Sequence, residues 1–193
     1  MLFFVTGASG SGKTSVIPLL KDILPDISIF DFDEMGVPKN ADKIWRQKNT
    51  DYWVKKAYEY QLQEKDICVC GQAVLGEILC CPSASLLKEI FVCHLECQDA
   101  VRINRLRKRN TYGVNQEILN WSAWLRMHII DPTWHQDVIT KDSWKEMRWD
   151  NLNKYSKTID LWKAYSIDTT NLSKKEIAKK IAEWITEKIK TPN

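Results

Sequence analysis

Apolar residues along the chain come in short unbroken blocks and in longer periodic stretches, and the two kinds alternate. Leu2–Val5, Ile27–Phe30, Ile67–Cys70, Ile90–Leu95 and Ala164–Ile167 are blocks of strand length with few polar interruptions. They read as strands, buried on both faces where apolar throughout, as Ile67–Cys70 is. Helical character fills the gaps. It predicts helices over Lys13–Leu24, Ala41–Lys65, Asp99–Arg109 and Gln116–Ile130, and a helical turn at Val74–Leu79 that Pro82 breaks. The last stretch is the most regular. Ser173 and Glu176 form a capping box, and Ile177, Ile181, Ile185 and Ile189 follow at spacing four with Trp184 beside them. Pro18 falls early inside the first helix, where it costs a hydrogen bond or a bend, and Pro25-Asp26 stops that helix. Strand alternating with helix predicts the α/β class.

The first apolar block breaks at once into Gly7-Ala8-Ser9-Gly10-Ser11-Gly12-Lys13-Thr14, which fills every fixed position of G-x-x-x-x-G-K-[ST] between a strand and a helix. Glycines let backbone N–H groups turn inward around an anion with no Cβ in the way. The helix start behind them adds partial positive charge. In such a loop Lys13 reaches the β- and γ-phosphates, and the Thr14 hydroxyl binds Mg²⁺. The alternative, a plain Gly/Ser turn, fits poorly with every fixed position filled. The loop implies a bound nucleoside triphosphate and leaves its use open.

The second block runs into Asp31-Phe32-Asp33-Glu34. Asp31 and Asp33, two residues apart at a strand's end, point the same way. The carboxyl ends of parallel strands hold the ligand crevice, so these acids share an edge with the triphosphate loop. They can hold Mg²⁺, directly or through water, or take a proton from a substrate hydroxyl. A solvated acidic turn is the plainer account. The third block ends in Gly71-Gln72, where a glycine allows close approach of a ligand or backbone and Gln72 can meet a substrate. The helix over Ala41–Lys65 carries Trp45, Tyr52, Trp53 and Tyr60. Such a stripe is usually core, with Trp45 or Arg46 as the side chains that could reach an acceptor. The loop Asp168–Asn171 again sits at a strand's carboxyl end, where an adenine could rest.

On the helix over Asp99–Arg109, Arg102, Arg105 and Arg109 fall within about 60° of each other at 100° per residue. Guanidinium groups clustered this way suit phosphate oxygens. The break at Asn110–Gly113 then looks like the start of a lid. A solvated basic face is the common alternative. Residues 114–150 hold five of the nine tryptophans, Trp121, Trp124, Trp134, Trp144 and Trp149, with His128 and His135. This stretch is either a substrate-covering insertion or a helical subdomain with its own small core, and packing accounts for most of the tryptophans. His128 and His135 make a poor metal site, and His94 reads as a core residue.

The chain has 193 residues, enough for one domain, 1–193, with the Trp-rich insertion at about 110–150. The net charge of +3 is too small to argue for nucleic acid. No apolar run approaches a membrane span, and the N-terminus lacks a basic, cleavable leader, so a cytoplasmic protein is expected. None of the six cysteines sits in a C-x-x-C pair, which argues for free thiols in a reducing compartment and against zinc.

These residues together resemble the P-loop small-molecule kinases, the group of shikimate, gluconate, nucleoside and adenylate kinases. The likeness spans the loop Gly7–Thr14, the acids Asp31 and Asp33, Gly71-Gln72, the arginine helix ending at Arg109, and the terminal strand, loop and helix. It implies a three-layer α/β/α fold with five parallel strands in the order 2-3-1-4-5 and a helical lid insertion. It implies ATP and Mg²⁺, with Asp31 holding the metal through water and Asp33 facing the acceptor as base. By the same likeness Gly71 and Gln72 line the acceptor site, and Arg105 and Arg109 contact the triphosphate, Arg109 stacking on adenine. The chain departs from the shikimate kinases in lacking their acceptor arginine pattern and in the length of its Trp-rich segment.

The function expected is transfer of the γ-phosphoryl group of ATP to a small-molecule acceptor, first of all a nucleoside or nucleotide. The alternatives are an acceptor-independent NTPase switch acting on a protein partner, and a polynucleotide 5′-kinase. The absence of an N-K-x-D motif argues against a GTPase, and no strand ends in the Asp-Glu of a mechanochemical motor.

Overall fold

The computed structural model describes residues 1–109, 114–156 and 164–191. Five parallel strands form one sheet in the order β2-β3-β1-β4-β5: β1 Leu2–Thr6, β2 Ser28–Asp31, β3 Ile67–Cys70, β4 Ile90–Glu96 and β5 Tyr165–Asp168. The order expected from the resemblance is the order found. Side chains alternate across the sheet. Leu2, Phe4, Ile67 and Val69 enter one core layer with Trp53, Ile78 and Leu152. Phe3, Val5, Cys68 and Cys70 enter the opposite layer with Leu20, Ile177, Ile181 and Ile185. The first layer is covered by α2 Lys43–Gln61, α3 Leu75–Cys80 and α7 Asp150–Ser156, the second by α1 Ile17–Ile23 and α8 Lys174–Lys190.

Element ends differ from the expected ones for local reasons. The first helix is a 3-10 turn, Thr14–Val16, followed by α1, so Pro18 stands in the first turn of α1, where no N–H is needed. The cost expected of it is therefore absent. α2 starts at Lys43 because the Asp42 carboxylate caps it, accepting from the Trp45 N–H at 2.8 Å. It ends at Gln61, four residues early, where the chain turns into Glu64 with φ +56°. β2 extends to Asp31 and β5 to Asp168, each paired at the end of its ladder. The capping box of α8 forms as expected, with Ser173 and Glu176 each closing on the other's N–H.

The Trp-rich stretch holds α5 Gln116–Ile130, α6 Asp137–Thr140 and α7. It is knitted into the rest of the chain. Trp124, Leu125 and Ile139 pack with Ala8 and Val74, and Trp144 and Trp149 lie against the first core layer. Trp53 is fully buried, its indole N–H on the Phe32 carbonyl at 3.0 Å, and Trp184 packs edge-on to Phe3. Packing thus claims most of the tryptophans described, while Trp134 is 41% exposed. The expected lid start, Asn110–Gly113, lies outside the described residues. All six cysteines are buried and free. His94, buried in β4, is held near a pKa of about 4 by burial and by the charges of Lys13 and Arg126. No helix among the described residues is long and apolar enough to cross a membrane.

Candidate active site

β1 delivers the chain into the glycine-rich loop, where Thr6 donates its hydroxyl to the Ala73 carbonyl. Gly7 takes φ +145° and Gly10 φ +86°. A Cβ on Gly7 would stand 2.4 Å from the Leu95 carbonyl oxygen, and one on Gly10 2.8 Å from Arg102 Cγ. Both positions need glycine for backbone and for space. Lys13 is buried, and its ammonium donates to the Ala8 carbonyl at 3.0 Å. Burial lowers its pKa to about 8; Asp33 opposes the shift, while Arg109 and Arg102 deepen it. An under-solvated ammonium is a site that gains from an incoming anion. Thr14 opens the 3-10 turn with its side chain exposed.

Asp31 ends β2, Phe32 turns into the core, and Asp33 stands exposed beyond it. Asp31 Oδ1 accepts the Asp33 backbone N–H at 3.0 Å, which ties the Asp31 carboxylate to the turn that carries Asp33. The Asp33 pKa is raised by partial burial and by the Asp31 charge, with Lys13 pulling the other way. This crowding of negative charge fits a divalent cation. No group of three or more His, Cys, Asp or Glu among the described residues forms a metal cage.

Gly71 is buried, and its close approach is to protein: a Cβ there would lie 1.9 Å from Phe32 Cβ. Gln72, next along, accepts from the Ser9 hydroxyl at 3.4 Å and so stands beside the triphosphate loop. Trp45 is half-buried and packs edge-on to Phe32 at 6.2 Å. Arg105 lies on α4 Asp99–Arg109 and turns inward to the loop after β5, donating to the Thr169 carbonyl at 2.7 Å. Thr169 is fully buried, and Asp168 accepts from the Thr170 N–H at 2.9 Å. Arg109 is exposed and reaches Ser15 Oγ at 3.1 Å. The base was expected beside Asp168 and Thr169. A hollow of about 400 Å³ on this side of the loop is lined by residues including Gly12, Ser15, Arg105, Arg109, Leu172 and Lys174.

A second hollow of about 330 Å³ opens on the other side of the same loop, lined by Ser9, Gln72, Arg102, Asn115, Glu117, Ile118 and Trp121. Behind it lies a buried network that sequence patterns did not reveal. Glu77 on α3 is fully buried and takes a two-pronged hydrogen bond from Arg46, at 2.8 and 2.7 Å, and a third from Gln47 at 3.0 Å. Gln47 also donates to the Ile139 carbonyl and accepts from the Trp144 N–H. Arg46 lies 5.0 Å over the Trp121 ring, which stacks on Trp124, which stacks on His128. His128 Nε2 accepts the Gly76 N–H at 3.1 Å, and burial takes its pKa down to about 4. The only signal for the network in the sequence was the placing of charged and amide residues among apolar ones.

A family model described as an AAA domain matches residues 4–120, more than half of the chain, and the chain belongs to that family of P-loop nucleotide-binding proteins. No curated relative matches the sequence. Solved structures share the fold. Shikimate kinase from Aquifex aeolicus superposes with a TM-score of 0.57 at 16% identity, covering 98% of this chain and 98% of that one. Shikimate kinase from Acinetobacter baumannii, bound to shikimate, gives 0.56 at 14%, covering 96% and 93%. A gluconokinase from Sinorhizobium meliloti gives 0.52 at 14%, covering 96% and 95%. The fold is therefore that of the small P-loop kinases, as the sequence resemblance implied.

Proposed function

We propose that the protein is an ATP-dependent phosphotransferase acting on a hydroxyl of a small molecule. The observation that carries this is one triphosphate loop set between two hollows. One is flanked by Arg109 and Lys174; the other is walled by Gln72, Asn115, Glu117 and Trp121. A nucleotide on the first side would present its terminal phosphate towards the second. Lys13 and Arg109 would neutralise phosphate charge, which is most of what such transfer requires of a protein. Thr14 and Asp31 would hold Mg²⁺, which when bound adds charge neutralisation at the phosphates. Asp33, its pKa raised, is suited to accept the acceptor's hydroxyl proton.

The acceptor we favour is a nucleoside. Trp121 lines this hollow beside Gln72, Asn115 and Glu117, a mix of aromatic and hydrogen-bonding side chains that suits a ring carrying hydroxyls. The arginine that lines this hollow, Arg102, is already engaged by Asp99, and Arg46 behind it by Glu77. An acceptor phosphate or carboxylate would have to compete with those partners, which favours a nucleoside over a nucleotide. The test is acceptor-dependent ADP release with matched pairs: nucleosides and their monophosphates, sugars and their acids, plus oligonucleotides. Release driven by nucleosides supports the proposal. Release equal with and without every acceptor would mean an NTPase switch, and release driven by oligonucleotide ends would mean a polynucleotide kinase.

A further inference from the structure

Three successive carbonyls of the triphosphate loop are each held from outside it. Arg102 Nη1 donates to the Ser9 carbonyl at 3.1 Å. Arg105 Nη1 reaches the Gly10 carbonyl at 3.5 Å, and Thr169 Oγ1 lies 2.9 Å from the Ser11 carbonyl. The Thr169 hydroxyl also lies 2.8 Å from the Glu96 carbonyl, but that oxygen already accepts the Thr169 N–H at 2.8 Å. A carbonyl can accept twice, but the donor already on Glu96 favours Ser11 for the hydroxyl's single proton. Arg105 braces the arrangement, with Nη1 3.2 Å from Thr169 Oγ1 and Nη2 2.7 Å from the Thr169 carbonyl.

The consequence follows from the peptide bond. In a trans peptide the C=O of one residue and the N–H of the next point to opposite sides, and the described chain has no cis bond. Carbonyls of Ser9 and Ser11 held towards α4 and the β5 loop turn the N–H groups of Gly10 and Gly12 the other way. Two N–H groups held on one side of a glycine-rich loop make a concave anion site. Without those outside donors the same glycines, permissive at φ, would sample other orientations.

We infer that Thr169, braced by Arg105, is a positioning residue for the phosphate-binding N–H groups, acting through the Ser11 carbonyl and not by touching nucleotide. Thr169 is fully buried and comes from the far end of the chain, so closure of β5 onto β4 completes the anion site. The inference rests on triphosphate binding and not on the identity of the acceptor.

The experiment is a titration of inorganic pyrophosphate and of a non-hydrolysable ATP analogue into wild type, Thr169→Val and Thr169→Ser, with thermal unfolding measured on each unliganded protein. Valine keeps the shape and removes the donor. The expected result is a five- to tenfold loss of affinity for both ligands, on the scale of one hydrogen bond, about 1 kcal/mol or somewhat more. Thr169→Ser should stay within about twofold of wild type. Thr169→Val binding pyrophosphate as wild type does, with only its melting temperature lowered, overturns the assignment. If the valine variant does not fold, Arg105→Lys decides. It keeps the charge and loses the planar fork, and it should weaken pyrophosphate binding at least threefold. Unchanged binding by that variant overturns the inference. No acceptor enters either measurement, so failure here is separate from failure of the transfer proposal.

Discussion

Lys13 should cost the unliganded protein stability, and removing its charge should return it. Lys13 is 8% exposed and its pKa falls from 10.5 to about 8, burial being the largest cause. At about 1.36 kcal/mol per pH unit this corresponds to about 3 kcal/mol set against the folded, charged state. The sign is fixed by linkage. Below pH 8 the lysine is charged in both states and the full cost is present. Between pH 8 and 10.5 the unfolded chain keeps a proton that the folded one has released, so stability rises with pH across that window. Lys13→Met should therefore be more stable than wild type by about 3 kcal/mol at pH 7, raising the melting temperature by about 6–12 °C for a chain of this size. The gap should close as the pH approaches 10.5. The assay is thermal or urea unfolding of both proteins across pH 7 to 10. The difference between them is the quantity read, because other groups titrate in both. Acceptor-dependent ADP release is measured alongside and should vanish in the variant. Two results refute the reasoning: a variant less stable than wild type at pH 7, or a stability gap that does not change with pH.

Further outcomes follow from the same geometry. Glu77→Leu leaves Arg46 buried without its carboxylate and should cost about 3–5 kcal/mol by denaturant unfolding, whereas the double variant with Arg46→Met should recover much of it. Gly71→Ala drives a methyl to within 1.9 Å of Phe32 Cβ and should destabilise by about 1–3 kcal/mol or more; neutral behaviour would mean that the β2–β3 ends part easily. Asp33→Asn should lower kcat by about 10²–10⁴ if Asp33 is the base. The acid limb of the wild-type rate profile should then lie above the usual carboxylate range, since partial burial and Asp31 raise its pKa. Arg109→Ala should raise KM for ATP with little effect on unfolding, because its side chain is exposed.

What the sequence alone determined is what local patterns encode. The strand blocks, the capping box and the eight-residue loop are each contiguous, so their chemistry is legible without knowing what lies beside them. Asp31 and Asp33 are close in the chain and hence close in space. The strand order came through resemblance, since no pairing is written in the residues themselves. Tertiary structure decided the rest, because it depends on residues far apart in sequence. Arg46 meets Glu77 across 31 residues, Arg105 meets Thr169 across 64, and Thr169 meets Ser11 across 158. It also changed the meaning of residues that the sequence singled out. Gly71 is a glycine because Phe32 packs on it, and Asp168 and Thr169 are turned to protein hydrogen bonds. A polar side chain at a strand end can serve a ligand or a neighbouring loop with the same atoms. Only the packed neighbours decide which.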